Sequence, residues 1–173
     1  SMLFDTKDNT KIADWVAYPH HSSYIGSSGR TNKWAYDPKF TNGEQPLMSS
    51  GLGGGYDRGH QIPSGDRTAN KETNWQTFYY TNMTAQLSDL NQKVWASLES
   101  TYIRDKWLKG GAITIPDTLY VVTGAILNKP GENKTVKTIS DNNGKKIAVP
   151  NYYFKALLYR KGSTYRAIGF WFD

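Results

Sequence analysis

The chain lacks cysteine altogether, so disulfide bonds, thiolate metal sites and cysteine nucleophiles are excluded. It has no apolar run of the roughly 20 residues that a bilayer-spanning helix needs, which predicts no membrane span. No signal peptide is visible, and the opening Ser1-Met2 is typical of a cloning remnant, so we expect a signal peptide to have been trimmed away. Internal repeats and linkers are also missing, and 173 residues predict a single domain over 1–173.

The chain is rich in aromatic residues and carries a net positive charge. Phe, Trp and Tyr make up 14% of the residues, so we expect the tryptophans, including Trp75 and Trp171, to lie mostly in the core. The formal net charge is +6, which favours a polyanionic partner such as nucleic acid. The same charge would also serve solubility alone, so charge does not decide between these interpretations.

The distribution of β-branched and aromatic residues predicts six strands. Hairpin turns are expected at Asn142-Asn143-Gly144 and Lys161-Gly162-Ser163. Residues 20–55 are rich in Gly, Ser, Asn and Pro and predict a long loop, which is usually functional or disordered. The predicted strands are 12–18, 75–81, 118–127, 145–149, 152–159 and 164–171.

One long helix is predicted from about Ser88 to Leu108. Ser88 or Asp89 can cap its N-terminus, and Gly110-Gly111 is expected to end it. Apolar residues at four-residue spacing predict its buried face: Leu90, Val94, Leu98 and Tyr102. The predicted fold class is therefore α+β, with an antiparallel central sheet and packed helices.

The motif Asp57-Arg58-Gly59-His60 combines residue types that suit phosphate chemistry. Histidine has an ordinary pKa of about 6.5, which suits proton transfer near neutral pH. The planar guanidinium of Arg58 matches phosphate oxygens, and glycine permits close approach of the backbone to a ligand. Taken alone, the four residues are more typical of a surface arginine and an incidental histidine in a turn.

Further along the chain, polar residues with the chemistry of a cation site recur. Asn82 stands in Thr81-Asn82-Met83-Thr84, where an isolated asparagine would indicate only a turn. Asn91, Trp95 and Glu99 have the spacing i, i+4, i+8 and share one face of a helix. An amide oxygen and a carboxylate are donors that Mg²⁺ prefers, so the set predicts a hard-cation site.

Together these motifs resemble those of the DNA/RNA non-specific endonuclease family, which has a ββα-metal fold. The resemblance implies a ββα-metal finger as the active site of the predicted α+β domain. It lies in the segments Asp57-Arg58-Gly59-His60-Gln61, Thr81-Asn82-Met83-Thr84 and Leu90-Asn91-Gln92, with Trp95 and Leu98-Glu99.

The resemblance implies catalytic roles for three of the matched residues. His60 is expected to be the general base that activates water. Arg58 is expected to contact the phosphate or the transition state, and Asn82 to support the active site near the scissile phosphate.

A metal site and an upstream arginine complete what the resemblance implies. Asn91 is expected to be the sole direct protein ligand of Mg²⁺, with Mn²⁺ as a substitute, and Glu99 to hold the metal's water molecules. Family members use an arginine shortly before a stretch like Trp34-Ala35-Tyr36-Asp37-Pro38. Asn32 stands at the usual place, so Arg30 is expected to fill the role after a local shift.

The resulting hypothesis is a Mg²⁺-dependent endonuclease that hydrolyses DNA and RNA with little sequence specificity and leaves 5′-phosphate products. Because the neutral histidine is the base, activity is expected to fall at acidic pH, already by about pH 5. The alternative is a non-catalytic nucleic-acid-binding domain, which the charge and aromatic residues would serve equally well. An unrestrained nuclease would destroy its own genome, so an extracellular or periplasmic location is expected. A dimer and an inhibitor protein stay open as partners.

Overall fold

The computed structural model describes residues 1–110 and 114–173, and nine strands form within them. Two longer helices accompany the strands: α1 (Lys71–Gln76) and α2, a continuous helix over 88–108 that includes the π-helical stretches Leu90–Trp95 and Leu98–Leu108. The described ranges also contain three short 3₁₀ helices, at Ser22–Tyr24, Ser64–Asp66 and Tyr80–Asn82. The strands are β1 (Met2–Asp5), β2 (Ile12–His20), β3 (Tyr56–His60), β4 (Met83–Leu87), β5 (Thr118–Ile126), β6 (Thr138–Ser140), β7 (Lys146–Ala148), β8 (Tyr152–Lys161) and β9 (Thr164–Phe172).

A five-stranded antiparallel sheet in the order β1-β2-β5-β8-β9 forms the centre of the domain. Its main core lies between one face of the sheet and α2. Val121 of β5 and Leu157 of β8 pair in register and are buried in one cluster with Leu98, Ile103 and Leu108 of α2. Each such side chain contributes about 1.5–3 kcal/mol on burial. The predicted α+β class is confirmed.

The strands β3 and β4 form a separate antiparallel pair that leads directly into α2. Arg58 lies opposite Ala85, and His60 lies opposite Met83. Gly59 is needed at the pair because a Cβ there would collide with the Gln86 side chain. This glycine therefore serves close packing of the two strands, not the approach of a ligand that the motif predicts. The predicted ββα finger is present.

The predicted strand at 75–81 is wrong, because this segment completes α1 and continues into turns. The side chain of Asn70 accepts a hydrogen bond from the Thr73 backbone N–H (2.9 Å) and caps the helix. This local cap outweighs the strand preference of the aromatic residues. β3 and β4 were not predicted, since their charged and small residues lack a strand signature.

The predicted apolar face of α2 is only partly right: Leu98 is buried and Leu90 packs on the core, but the other two residues do not. Val94 and Tyr102 are exposed, while Trp95, Leu98 and Ile103 are buried. Trp95 sets this rotation because its indole packs against the rings of Tyr153 and Phe172 in the sheet, at 5.6 and 5.4 Å. The face that carries Asn91, Trp95 and Glu99 therefore turns inward.

The turn predictions hold where the structure describes them. Residues 142–144 connect β6 to β7, and residues 161–163 connect β8 to β9. Gly110 has a positive φ of 88° just after α2, a conformation that glycine permits, while Gly111 lies outside the described residues. No helix in the described ranges is long and apolar enough to cross a membrane.

Candidate active site

A cleft of about 540 Å³ opens between β3, the turn at Ser64 and the N-terminal half of α2. It brings together five of the six predicted site residues, which come from three distant parts of the chain. Its walls are formed by Arg30, Arg58, His60, Pro63, Ser64, Gly65, Asn91, Gln92, Ala96, Glu99, Ser100 and Arg104. Charged and polar side chains therefore dominate the cleft.

His60 ends β3 and is held between two aromatic rings, with Trp34 at 5.6 Å and Phe78 at 5.1 Å. Its Nε2 atom is buried and finds no hydrogen-bond partner among the described residues. Burial lowers the pKa of His60 to about 3, and the positive charges of Arg30 and Arg58 act in the same direction. The imidazole is thus neutral at physiological pH, with an unused nitrogen.

The pH dependence of cleavage should reflect this environment. A base must be neutral to act, and kcat/KM reports the free enzyme, so its acid limb should lie well below the ordinary histidine pKa of about 6.5. We therefore expect activity to persist to a lower pH than the fall by about pH 5 that the sequence predicts. In Arg30→Gln, loss of the neighbouring charge should raise the His60 pKa and move the limb to higher pH. Measuring kcat/KM from about pH 4 to about pH 8 for the wild type and for Arg30→Gln tests both expectations. An acid limb of the wild type near pH 6.5 would contradict the low pKa of His60.

Two arginines lie beside His60 and are fixed by contacts of their own. The Arg58 guanidinium lies 3.5 Å from the centre of the Trp34 ring and donates to the Met48 carbonyl at 2.9 Å. Arg30 donates to the Ser64 hydroxyl at 2.9 Å and lies over the Phe78 ring. Burial lowers the pKa of both, yet arginine stays charged. The pair makes this wall cationic.

Asn91 enters the cleft from the first turns of α2, and Asp57 sets its orientation. The Nδ2 group of Asn91 donates to Asp57 Oδ2 at 2.9 Å. Its Oδ1 atom receives no hydrogen bond from the described residues. Gln92 and Ser88 also donate to Asp57, and these three bonds lower its pKa although burial alone would raise it. The amide oxygen of Asn91 is left available for a ligand.

Glu99 lies two turns further along α2 and reaches both the cleft and the core. Its carboxylate forms a 2.9 Å ion pair with Lys155 of β8, and the two side chains are 13% and 0% exposed. Lys155 also donates to Thr123 at 2.8 Å and lies over the Trp95 ring. Burial raises the pKa of Glu99, and Lys155 opposes that rise. The ion pair fixes the carboxylate at the cleft.

These donors suit a hard divalent cation. Within the described ranges, no cluster of three or more His, Asp or Glu side chains is arranged to hold a metal. The cleft offers the amide oxygens of Asn91 and Gln92 and one carboxylate, from Glu99. Mg²⁺ keeps several water ligands and commonly uses few protein oxygens together with substrate phosphate. The residues present therefore fit such a cation.

Asn82, the sixth predicted residue, is absent from the cleft wall. Its Oδ1 accepts from the Ile62 backbone N–H at 2.9 Å, and its Nδ2 donates to the carbonyls of Ile62 and Thr77. Its side-chain amide is thus occupied in fixing the segment that follows His60. The supporting role near the scissile phosphate that the resemblance implies stays a prediction.

Sequence reasoning missed Asp57 as a positioning residue and Arg104 as a wall of the cleft. Arg104 donates twice to Asp66, at 3.0 and 2.8 Å, and Asp66 also accepts from the Tyr18 hydroxyl. Arg104 stands five residues after Glu99, outside the four-residue spacing of the recognised face. The only feature of the sequence that pointed to Asp57 was its place in the motif Asp57-Arg58-Gly59-His60.

The profile of the DNA/RNA non-specific endonuclease family matches residues 1–173. The chain belongs to this family. Similar proteins of the family include a nuclease of Nostoc sp., 38% identical over 133 residues, covering 73% of this chain and 45% of that protein. Another is the mitochondrial nuclease EXOG of Mus musculus, 27% identical over 159 residues, covering 87% and 40%.

The family fold is also seen in the structural comparison. The solved structure of the EndoG/EndoGI complex aligns with 98% of this chain and 69% of that chain, with a TM-score of 0.76 and 20% identity. This likeness shows the ββα-metal fold. The chain spans about half the length of the curated relatives that it matches.

Proposed function

We propose that this family member is a Mg²⁺-dependent endonuclease that hydrolyses DNA and RNA with little sequence specificity. The observation that carries the proposal is the unpartnered Nε2 of His60, which shares one cleft with Asn91 and Glu99. A buried nitrogen without a partner is costly unless a ligand uses it. A non-catalytic binding domain would not need His60, Asn91 and Glu99 in one cleft.

His60 acts as the general base. Its neutral Nε2 takes a proton from water as the water oxygen bonds to phosphorus, and the bond from phosphorus to the 3′-oxygen breaks. The low pKa of His60 keeps it in the accepting form. The departing 3′-oxygen takes a proton from solvent, and His60 returns its proton to solvent. The products carry 5′-phosphates and free 3′-hydroxyls.

Arg30 and Arg58 bind the non-bridging phosphate oxygens. Their guanidinium groups are already fixed by Ser64, Met48 and the aromatic rings, so little reorganisation is needed as negative charge grows. Contacts of this kind carry no base information, which accounts for weak sequence specificity.

Asn91 would be the direct protein ligand of the cation, and Glu99 would hold its water molecules. When bound, Mg²⁺ supplies charge stabilisation at the phosphate, and Mn²⁺ should substitute because it accepts the same oxygen donors. Asp57 keeps the Asn91 amide turned so that its oxygen is the atom offered. Lys155 keeps the Glu99 carboxylate in place.

A plasmid assay separates this function from simple binding. With Mg²⁺, supercoiled plasmid should pass to nicked and then linear and fragmented DNA, and excess EDTA should stop the conversion. Structured RNA should be degraded under the same conditions. Plasmid that is retarded in a gel yet stays supercoiled with Mg²⁺ or Mn²⁺ would favour the non-catalytic alternative.

We also propose that the protein works outside the cytoplasm, in the extracellular space or periplasm. A nuclease with a cationic, sequence-blind cleft would attack the genome of its own cell. A cleft of this charge would equally suit an acidic inhibitor protein. The neighbouring EndoG structure is itself a complex with EndoGI that concerns EndoG inhibition.

A further inference from the structure

We propose that Trp75 and Lys33 form a stacking subsite beside the cleft that takes an unpaired nucleotide of a single-stranded substrate. The inference rests on the proposed function and names a substrate class for it. The proposal is based on the exposed ring of Trp75, which lies next to Lys33. Two separate connections join this pair to the cleft.

The sequence predicts that Trp75 lies in the core, but its side chain is 37% exposed. It lies near the end of α1, and Lys33 Nζ lies 4.9 Å from the centre of its ring. Tyr79 follows one turn later, with its ring 6.3 Å away. A large aromatic surface is thus held open to solvent beside a cation.

The first connection to the cleft runs through Lys33. The next residue, Trp34, has its ring 5.6 Å from that of His60 and 3.5 Å from the Arg58 guanidinium. Consecutive Cα atoms are about 3.8 Å apart, so the Lys33 backbone adjoins that of the residue whose ring contacts His60 and Arg58. The Lys33 side chain reaches from there to Trp75.

The second connection runs through Asn74, the residue before Trp75. Its Nδ2 donates to the Ser64 carbonyl at 2.8 Å, and its Oδ1 accepts from the Thr31 backbone N–H at 2.9 Å. Ser64 lines the cleft and accepts from Arg30. The subsite is therefore rigidly tied to the wall that binds phosphate.

The chemistry of the pair matches one nucleotide. A base stacks on an indole irrespective of its sequence, and an ammonium group binds the adjoining phosphate. The bases of a duplex are already stacked on each other, so only an unpaired base can use Trp75. The subsite thus favours single strands without introducing sequence preference.

Trp171 provides a matched control. It is 47% exposed and has Lys129 Nζ 5.3 Å from its ring. Its neighbours Phe170 and Phe172 pack on Trp107 and Trp95 of α2. Successive strand residues point to opposite faces, so Trp171 lies on the face of the sheet away from α2 and the cleft.

The test measures binding without cleavage. In the His60→Ala background with EDTA, fluorescence anisotropy gives the Kd of a labelled single-stranded oligonucleotide and of its duplex. Trp75→Ala should weaken single-strand binding about tenfold and lower the ratio of single-strand to duplex affinity. Trp75→Phe should keep most of the affinity for the single strand, and Trp171→Ala should keep all of it.

A salt titration tests the lysine. Each phosphate contact on a single strand contributes about 0.7 to the slope of log K against log salt. Lys33→Gln should reduce the slope by about that amount, and Lys129→Gln should leave it unchanged.

The outcomes separate the two proposals. If the parent protein binds neither oligonucleotide, the nuclease function fails and the subsite fails with it. If it binds, but Trp75→Ala equals the parent or Trp171→Ala weakens binding as much, the stacking subsite alone is wrong.

Discussion

His60→Ala should lower kcat for plasmid cleavage by about 10²–10⁴-fold, which is the usual contribution of a general base. The imidazole is the only neutral proton acceptor that the described cleft offers with an unused nitrogen. Oligonucleotide affinity should persist, because Arg30 and Arg58 carry the phosphate contacts. Single-turnover cleavage and equilibrium binding measure the two quantities separately.

His21→Ala is the control for this variant. His21 bonds to Ser23 in the loop after β2 and lies outside the cleft, so its loss should leave kcat unchanged. Wild-type turnover by His60→Ala, or an equal loss in both variants, would remove His60 from the mechanism.

Asn91→Ala should have the second large effect, a loss of cleavage of at least about 100-fold at a fixed Mg²⁺ concentration, since a catalytic cation supplies several kcal/mol of transition-state stabilisation. The substitution removes the one amide oxygen of the cleft that is proposed to bind the metal directly. Mn²⁺ binding, followed by electron paramagnetic resonance without substrate, should weaken in parallel. That measurement does not depend on catalysis.

Gln92→Ala is a close match for Asn91→Ala. Gln92 is the next residue on α2, lines the same cleft and donates to the same Asp57 oxygen at 2.8 Å. It has no proposed role toward the metal, so Mn²⁺ affinity should stay near that of the wild type. If the two variants lose Mn²⁺ affinity alike, Asp57 and its hydrogen bonds hold the local structure, and Asn91 is not the ligand.

The sequence predicted most of the cleft because its chemistry is concentrated in short motifs. The motif around His60 and the helical spacing of Asn91 and Glu99 named residues that the structure brings to one cleft, while Trp95 packs in the core. Helical periodicity gave α2 its extent, and the turns at 142–144 and 161–163 were predicted from local residue preferences.

What the sequence did not predict depends on contacts between distant segments. Lys155 would be expected at a solvated position of β8, yet it is buried. Its charge is paired with the Glu99 carboxylate, and it donates a hydrogen bond to the Thr123 hydroxyl. The inward rotation of α2 is set by Trp95 on Tyr153 and Phe172, which lie in strands far along the chain. No local pattern encodes such pairings.

The ion pair between Glu99 and Lys155 also bears on when the enzyme becomes active during synthesis. The finger and α2 leave the ribosome well before β8, so the carboxylate has no cation beside it until the late strand docks. Removing one partner of a buried ion pair costs about 3–5 kcal/mol, so an early cleft is poorly stabilised. A nascent chain would therefore lack a stable cleft until β8 has been translated and has docked on α2.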